Sequence, residues 1–98
     1  MKFKTDADGI INTTGSSYQG YIYSSYEDLL DLFGKPIISN DEKAECQWVL
    51  MLEDGHVATI YAWKENYKTC KKWNIGGKSK ECYYIVDDII QDYKMGVR

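Results

Sequence analysis

Cys46-Gln47-Trp48-Val49-Leu50-Met51-Leu52-Glu53-Asp54-Gly55-His56-Val57-Ala58-Thr59-Ile60-Tyr61-Ala62-Trp63 is the stretch whose reading decides the fold. Cys46, Trp48, Leu50 and Leu52 alternate with Gln47, Val49 and Met51, the two-residue period of a strand buried on one face and partly on the other. Asp54-Gly55 then offers two residues that tolerate positive φ, as a two-residue hairpin turn demands. The spacing predicts that residues 44–52 pair antiparallel with residues 57–63. In the return strand Val57, Thr59, Tyr61 and Trp63 share one face, and Ala58, Ile60 and Ala62 the other. The small Ala58 and Ala62 leave room for a helix to pack closely, which turns Tyr61 and Trp63 toward the opposite side.

Upstream, residues 10–23 have a strand-like pattern, with Tyr18, Gly20 and Ile22 on one face and Ser17, Gln19, Tyr21 and Tyr23 on the other. Gly15 and the Ser16-Ser17 pair interrupt it, which places a bend or bulge there. Ser24 and Ser25, followed by Glu27 and Asp28, form a capping-box arrangement, and Tyr26, Leu29, Leu30 and Phe33 follow at helical spacing. A helix over Tyr26–Phe33 should end at Gly34, with Pro36 preventing continuation. Residues 40–43 form a polar loop.

Downstream, residues 65–72 are polar and lysine-rich, a loop or ragged hairpin, and residues 73–75 suit a last short strand. Ser79 is placed to cap a second helix over about 80–93. Cys82, Ile85, Val86, Ile89 and Tyr93 recur on one side of it, Asp87, Asp88 and Asp92 on the other, and Gly96 is a natural stop. The expected architecture is α+β: one small domain spanning 1–98, an antiparallel sheet with two helices, and a loosely ordered segment at 1–9.

A chain of 98 residues can build one modest core but little enclosed space beyond it, which favours a binding module over a large enzyme. The net charge of −3 argues against a general nucleic-acid coat, so any anion site must be local. Nine tyrosines and three tryptophans are many for this length; they are expected to be shared between core and interface and to favour a homo-oligomer. Cys46, Cys70 and Cys82 lack CxxC spacing and have only His56 as an imidazole partner, so we expect no disulfide framework, metal site or cofactor, and reduced thiols in a cytoplasmic setting. The longest apolar run, residues 48–52, is far too short to span a bilayer, and no membrane partner is expected.

Candidate chemistry concentrates at Trp73-Asn74-Ile75-Gly76-Gly77-Lys78-Ser79. A di-glycine running into a helix start can bring backbone N–H groups together, and Ser79 adds a hydroxyl, so this corner suits an anion. The same glycines would equally serve a plain turn before a helix. Lys64, Lys68, Lys71, Lys72, Lys78 and Lys80, six of the twelve basic residues, lie nearby and are interleaved with Tyr61, Trp63, Tyr67 and Trp73. The expected site holds the phosphate of a small nucleotide-like ligand on Gly76, Gly77, Ser79, Lys64 and Lys78. Its base would stack on Tyr61, Trp63 or Trp73. No catalytic residues are expected: His56 sits at a hairpin tip, and the pairs Asp87-Asp88 and Glu53-Asp54 read as solvated. The acidic helices offer a rival surface that could mimic nucleic acid toward a protein target.

The chain resembles a family of small proteins found widely in tailed-phage genomes. The likeness rests on Ser17-Tyr18-Gln19-Gly20-Tyr21-Ile22, on Tyr26–Phe33 with Gly34 and Pro36, on Asp54-Gly55-His56-Val57-Ala58-Thr59-Ile60-Tyr61-Ala62-Trp63-Lys64, and on Trp73 to Ser79. Family members usually carry His before Ile-Gly-Gly, where this chain has Asn74, so no histidine role carries over. The resemblance implies a phage accessory protein of the counter-defence kind, acting in the host cell. One mode is a sponge that sequesters a cyclic-nucleotide-type immune signal without cleaving it. The alternative is an acidic inhibitor of a host defence nuclease or effector, of the anti-CRISPR or anti-restriction type.

Overall fold

The expected hairpin forms as its alternation dictates: β4 (Cys46–Leu52) turns at Asp54-Gly55 into β5 (Val57–Tyr61), pairing from Gln47 with Tyr61 to Met51 with Val57. Gly55 lies at φ +92° but Asp54 does not share a positive φ: the Gly55 N–H donates to the Leu52 carbonyl at 2.9 Å and the Leu52 N–H to that of His56 at 2.8 Å, so the turn is the three-residue loop Glu53-Asp54-Gly55 instead of the expected two-residue one, with the Asp54 carboxylate accepting the His56 N–H at 3.0 Å. β5 ends two residues earlier than expected. Lys64 adopts φ +56° just beyond, which turns the chain out of the sheet.

The computed structural model describes residues 3–5, 16–38 and 45–96. Within them lie four more strands, β1 (Phe3–Thr5), β2 (Ser17–Tyr23), β3 (Ile37–Ile38) and β6 (Lys72–Gly77), with two helices, α1 (Tyr26–Phe33) and α2 (Lys80–Lys94). The sheet runs β1-β4-β5-β6-β2, every pairing antiparallel, and β3 pairs with the start of β4 on the same side as β1. This is a small single α+β domain. Phe3–Thr5 form a strand against Leu50–Leu52 where a loosely ordered segment was expected, because Phe3 closes onto Phe33 with ring centroids 5.0 Å apart. The expected strand start at 10–15 and the loop at 40–43 lie outside the described residues. No helix among the described residues is long and apolar enough to cross a membrane.

Both helices cover one face of the sheet. α1 begins as read: the Ser25 hydroxyl accepts the Asp28 N–H at 3.1 Å, and Gly34 ends it at φ +82°. Leu29 and Phe33 enter the core, and Trp48 and Trp73 meet it edge to face 5.4 Å apart, with the Tyr26 ring beside both. Each buried indole needs an acceptor. Trp73 Nε1 donates to the Ser24 carbonyl at 3.0 Å and Trp48 Nε1 to the Gly34 carbonyl at 2.8 Å, so the sheet grips α1 at both ends. α2 lays Cys82, Val86, Ile89 and Ile90 onto β5, β6 and β2.

β2 departs from its expected faces. The register shifts between Tyr18 and Gly20, which puts a bulge at Gln19; the interruption expected at Gly15 lies outside the described residues. Gly20 and Ile22 face the helices, while Tyr18 joins Tyr21 and Tyr23 among the exposed aromatics. The Gln19 amide reaches back to the Gly77 carbonyl at 2.9 Å and satisfies it where the ladder is broken.

β6 holds the largest correction. Gly76 and Gly77 are not a turn but its last two residues, paired on one side with Thr59 and Ala58 and on the other with Tyr18 and Ser17. A Cβ on Gly77 would sit 2.5 Å from Cys82 Sγ and 2.6 Å from Cys82 Cβ, so the bare backbone is what lets α2 close onto the sheet. Gly77→Ala is therefore expected to destabilise the fold by about 1–3 kcal/mol through overpacking. Urea unfolding measures this, and a midpoint equal to that of the parent chain would contradict the packing described.

The three thiols are free and buried. Burial, aided by the Glu45 carboxylate, pushes Cys46 up to about 12, and burial with Glu65 beside it pushes Cys70 up to about 11. At pH 8 neither carries appreciable thiolate. Both should resist iodoacetamide in the native chain and react once it is unfolded, as peptide mass mapping would reveal.

Candidate functional site

The eight residues expected to form one ligand corner do not come together. Trp73 is fully buried in the core and its indole N–H is committed to Ser24, so no base can stack on it. Gly76 and Gly77 are consecutive strand residues and present opposite faces. Gly77 faces the helices, and Gly76 faces away from them. Ser79 occupies the N-cap position of α2 with extended backbone, but its hydroxyl makes no capping bond. Lys78 lines a hollow of about 300 Å³ with Asp54, Gly55, His56, Val57 and Cys82, and Lys64 lines another of about 400 Å³ with Glu45, Glu65, Asn66, Tyr67 and Lys68.

Three of the eight do converge. Tyr61, Trp63 and Gly76 line a cleft of about 320 Å³ on the face opposite the helices, together with Ser16, Ser17, Tyr18, Gln47 and Thr59. The helix-facing alternation of Ala58 and Ala62 sends Tyr61 and Trp63 there, as the sequence pattern led us to expect. Their rings meet edge to face with centroids 6.1 Å apart. Gly76 forms the floor, since a Cβ there would collide with Thr59 Oγ1 and lie 3.5 Å from the Tyr61 ring. The bulge at Gln19 is what brings Tyr18 to the wall, and alternation counted along β2 without it points Tyr18 the other way. Such a bulge leaves no mark in a single sequence beyond the flanking Gly20.

The cleft is amphipathic. Burial raises the Tyr61 phenol above its ordinary range, with the Tyr18 phenol beside it adding to the shift, so the aromatic wall is partly withdrawn from water. Gln47 and Thr59 supply an amide and a hydroxyl at the base, and Ser16 and Ser17 supply further hydroxyls at the rim. Lysines flank the aromatics: the Lys64 amine lies 5.8 Å from the Trp63 ring centroid and the Lys72 amine 4.4 Å from that of Tyr21. Lys64 is the one non-glycine residue with positive φ among those described, and this backbone turn directs its amine toward the Trp63 ring.

No protein-family model, curated protein or solved structure matches this chain. The chemistry of the cleft therefore carries the functional argument.

Trp63 is 45% exposed, against 1% for Trp48 and 0% for Trp73. Acrylamide should quench one tryptophan population and leave the rest dark to it, and Trp63→Phe should remove the quenchable fraction. Equal quenching before and after that substitution would place an additional indole at the surface, contrary to the arrangement described.

Proposed function

We propose that this chain is a non-catalytic binding protein that holds a base-bearing anionic small molecule, of the nucleotide class, on the sheet face opposite its helices. The observation that carries the reading is the cleft in which Tyr18, Tyr61 and Trp63 rise around the bare Gly76 backbone. Flat aromatic walls suit a purine or pyrimidine ring, whose stacking contributes on the order of 1–3 kcal/mol per base. The Gln47 amide and Thr59 hydroxyl can read the edge of such a ring, and Lys64, beside Trp63, can meet its phosphate. A cleft of about 320 Å³ is at the lower end of the range for small-molecule sites and fits one nucleoside unit.

Set beside the resemblance to small tailed-phage proteins, this reading becomes sequestration of a cyclic-nucleotide-type immune signal in the host cell, without cleavage. Tyr18, Tyr21, Tyr23 and Trp63 all remain exposed on or near this face. A second copy laid against them would wall in a ligand that one chain leaves half uncovered.

The test is incubation with a panel of linear and cyclic nucleotides, followed by recovery of the ligand from heat-denatured protein. Intact ligand is expected. Tyr61→Ala and Trp63→Ala should each weaken binding roughly tenfold or more, in line with the lost stacking. Lys78→Ala, which alters a different hollow, should leave affinity unchanged. An altered product would replace the sponge with an enzyme, and retention of no nucleotide would remove the reading altogether.

One observation favours the inhibitor reading: Glu53 and Asp54 of the hairpin and Asp88 of α2 line a single hollow of about 330 Å³, joining the hairpin tip to the acidic side of α2. Replacing Asp87 and Asp88 with Lys separates the two readings. It should spare nucleotide retention and abolish inhibition of a nuclease target if that acidic surface is the working face.

A further inference from the structure

The fold gives His56, at the tip of the β4–β5 hairpin, two carboxylate neighbours. His56 sits between Asp54 of its own turn and Glu81 of the first turn of α2: Nδ1 lies 2.7 Å from Asp54 Oδ2 and Nε2 lies 3.9 Å from Glu81 Oε2. One ligand atom from each of the three residues lies within 4.8 Å of the other two. The backbone holds this arrangement. Asp54 Oδ1 is already occupied by the His56 N–H at 3.0 Å, which fixes the carboxylate against the ring, and the hairpin and helix meet at the hollow lined by Asp54, His56, Lys78 and Cys82.

A neutral imidazole owns a single N–H. Whichever nitrogen carries it, the other presents a lone pair toward a carboxylate, an arrangement that repels unless a cation lies between. A second observation is independent of the charges: Nδ1 is sealed from water and, despite its 2.7 Å approach to Asp54, makes no aligned hydrogen bond. With Asp54 beside Nδ1 and Glu81 facing Nε2, the ring and its two carboxylates hold no positively charged partner among themselves. The partner can be a second proton or a metal ion.

We propose that Asp54, His56 and Glu81 form a site for a divalent transition ion of the zinc, cobalt or nickel kind. One imidazole nitrogen and carboxylate oxygens are the donors such ions accept, whereas magnesium and calcium favour all-oxygen sets. Lys78 lines the same hollow, so an ion held by coordinate bonds is favoured over one held by net charge alone. The ion would tie the hairpin tip to the start of α2, where the buried Cys82 thiol already meets the Val57 carbonyl at 3.6 Å. This site lies outside the cleft assigned to the nucleotide: the two share no lining residue.

The test uses full-length chain treated with chelator and then titrated with zinc chloride at pH 7.5 by calorimetry. His56 is the single histidine, so its ring signals can be followed by NMR without ambiguity. The expected result is one zinc per chain with matching changes in the His56 ring signals, while magnesium chloride gives no heat. His56→Gln and Glu81→Gln should lower zinc affinity at least a hundredfold and tenfold respectively, and Asp54→Asn ten- to a hundredfold, as loss of a carboxylate beside a ligating histidine does. These positions are exposed or half-buried, so the variants fold. Zinc binding that survives His56→Gln unchanged would place the metal elsewhere, and His56 signals that follow pH but ignore zinc would assign the second cation as a proton. Either outcome overturns the proposal.

Discussion

Two buried indole N–H groups set the layout of this protein. Trp48 and Trp73 sit side by side on neighbouring regions of the sheet, almost without exposure, and each must find an acceptor or forfeit the cost of burying a bare donor. The acceptors are the carbonyls of Ser24 and Gly34, which bracket α1. The helix of eight residues is too short to persist alone, so it exists because both of its ends are fastened to the sheet and Leu29 and Phe33 fill the space beneath. Once α1 is fixed on that face, alternation leaves no choice for the other. Residues at odd positions of β5, and those beside them on β2 and β6, must collect on the opposite side.

The consecutive glycines of β6 make these two faces compatible. On one side Gly77 removes the side chain that would hold α2 away, and Cys82 occupies the space. On the other, Gly76 leaves a gap between Thr59, Tyr61 and Tyr18 that becomes the floor of a cleft. Glycine weakens a strand by its backbone entropy and its lack of packing. Placing two of them in a strand paired on both sides is tolerated because the ladders on β5 and β2 hold the backbone, and because neighbouring side chains take up the vacated volume.

What was legible in the sequence was whatever depends on neighbours within a few residues. The place of the hairpin at Gly55, the Ser25 cap, the Gly34 stop and the helical spacing of α2 are local, and each is where the pattern put it, although the hairpin turns over three residues instead of two. Gly76-Gly77 was read as a corner because glycine pairs signal turns more often than sheet interiors, and no local signal reveals that Thr59 and Cys82 wait across the gap. Trp73 was assigned to ligand stacking for a similar reason: aromatic character is the same in a core and at a site, and only the distant Ser24 carbonyl decides between them. Of the proposed ligand residues, Tyr61, Trp63 and Gly76 remained together because the Ala58 and Ala62 alternation is itself local. Tyr18, which completes their cleft, was missed because the bulge at Gln19 reverses its face.

The same bulge bears on how copies of this chain could meet. Among the described residues β2 lies at an edge of the sheet, and exposed edges invite pairing with a second chain. Here the edge is blunted twice. Gln19 breaks the register, and lysines at the two ends of α2 occupy its carbonyls, with Lys80 donating to Gln19 and Lys94 to Tyr23. Strand addition on β2 would have to displace both amines and follow a kinked backbone. Tyr18, Tyr21 and Tyr23, by contrast, project from that strand with their rings uncovered, and Tyr21 and Tyr23 already meet edge to face 5.5 Å apart. The design of this edge therefore steers any association toward side chains on the sheet face and away from backbone pairing, which is the geometry a cleft walled by Tyr18, Tyr61 and Trp63 needs if a second copy is to complete it.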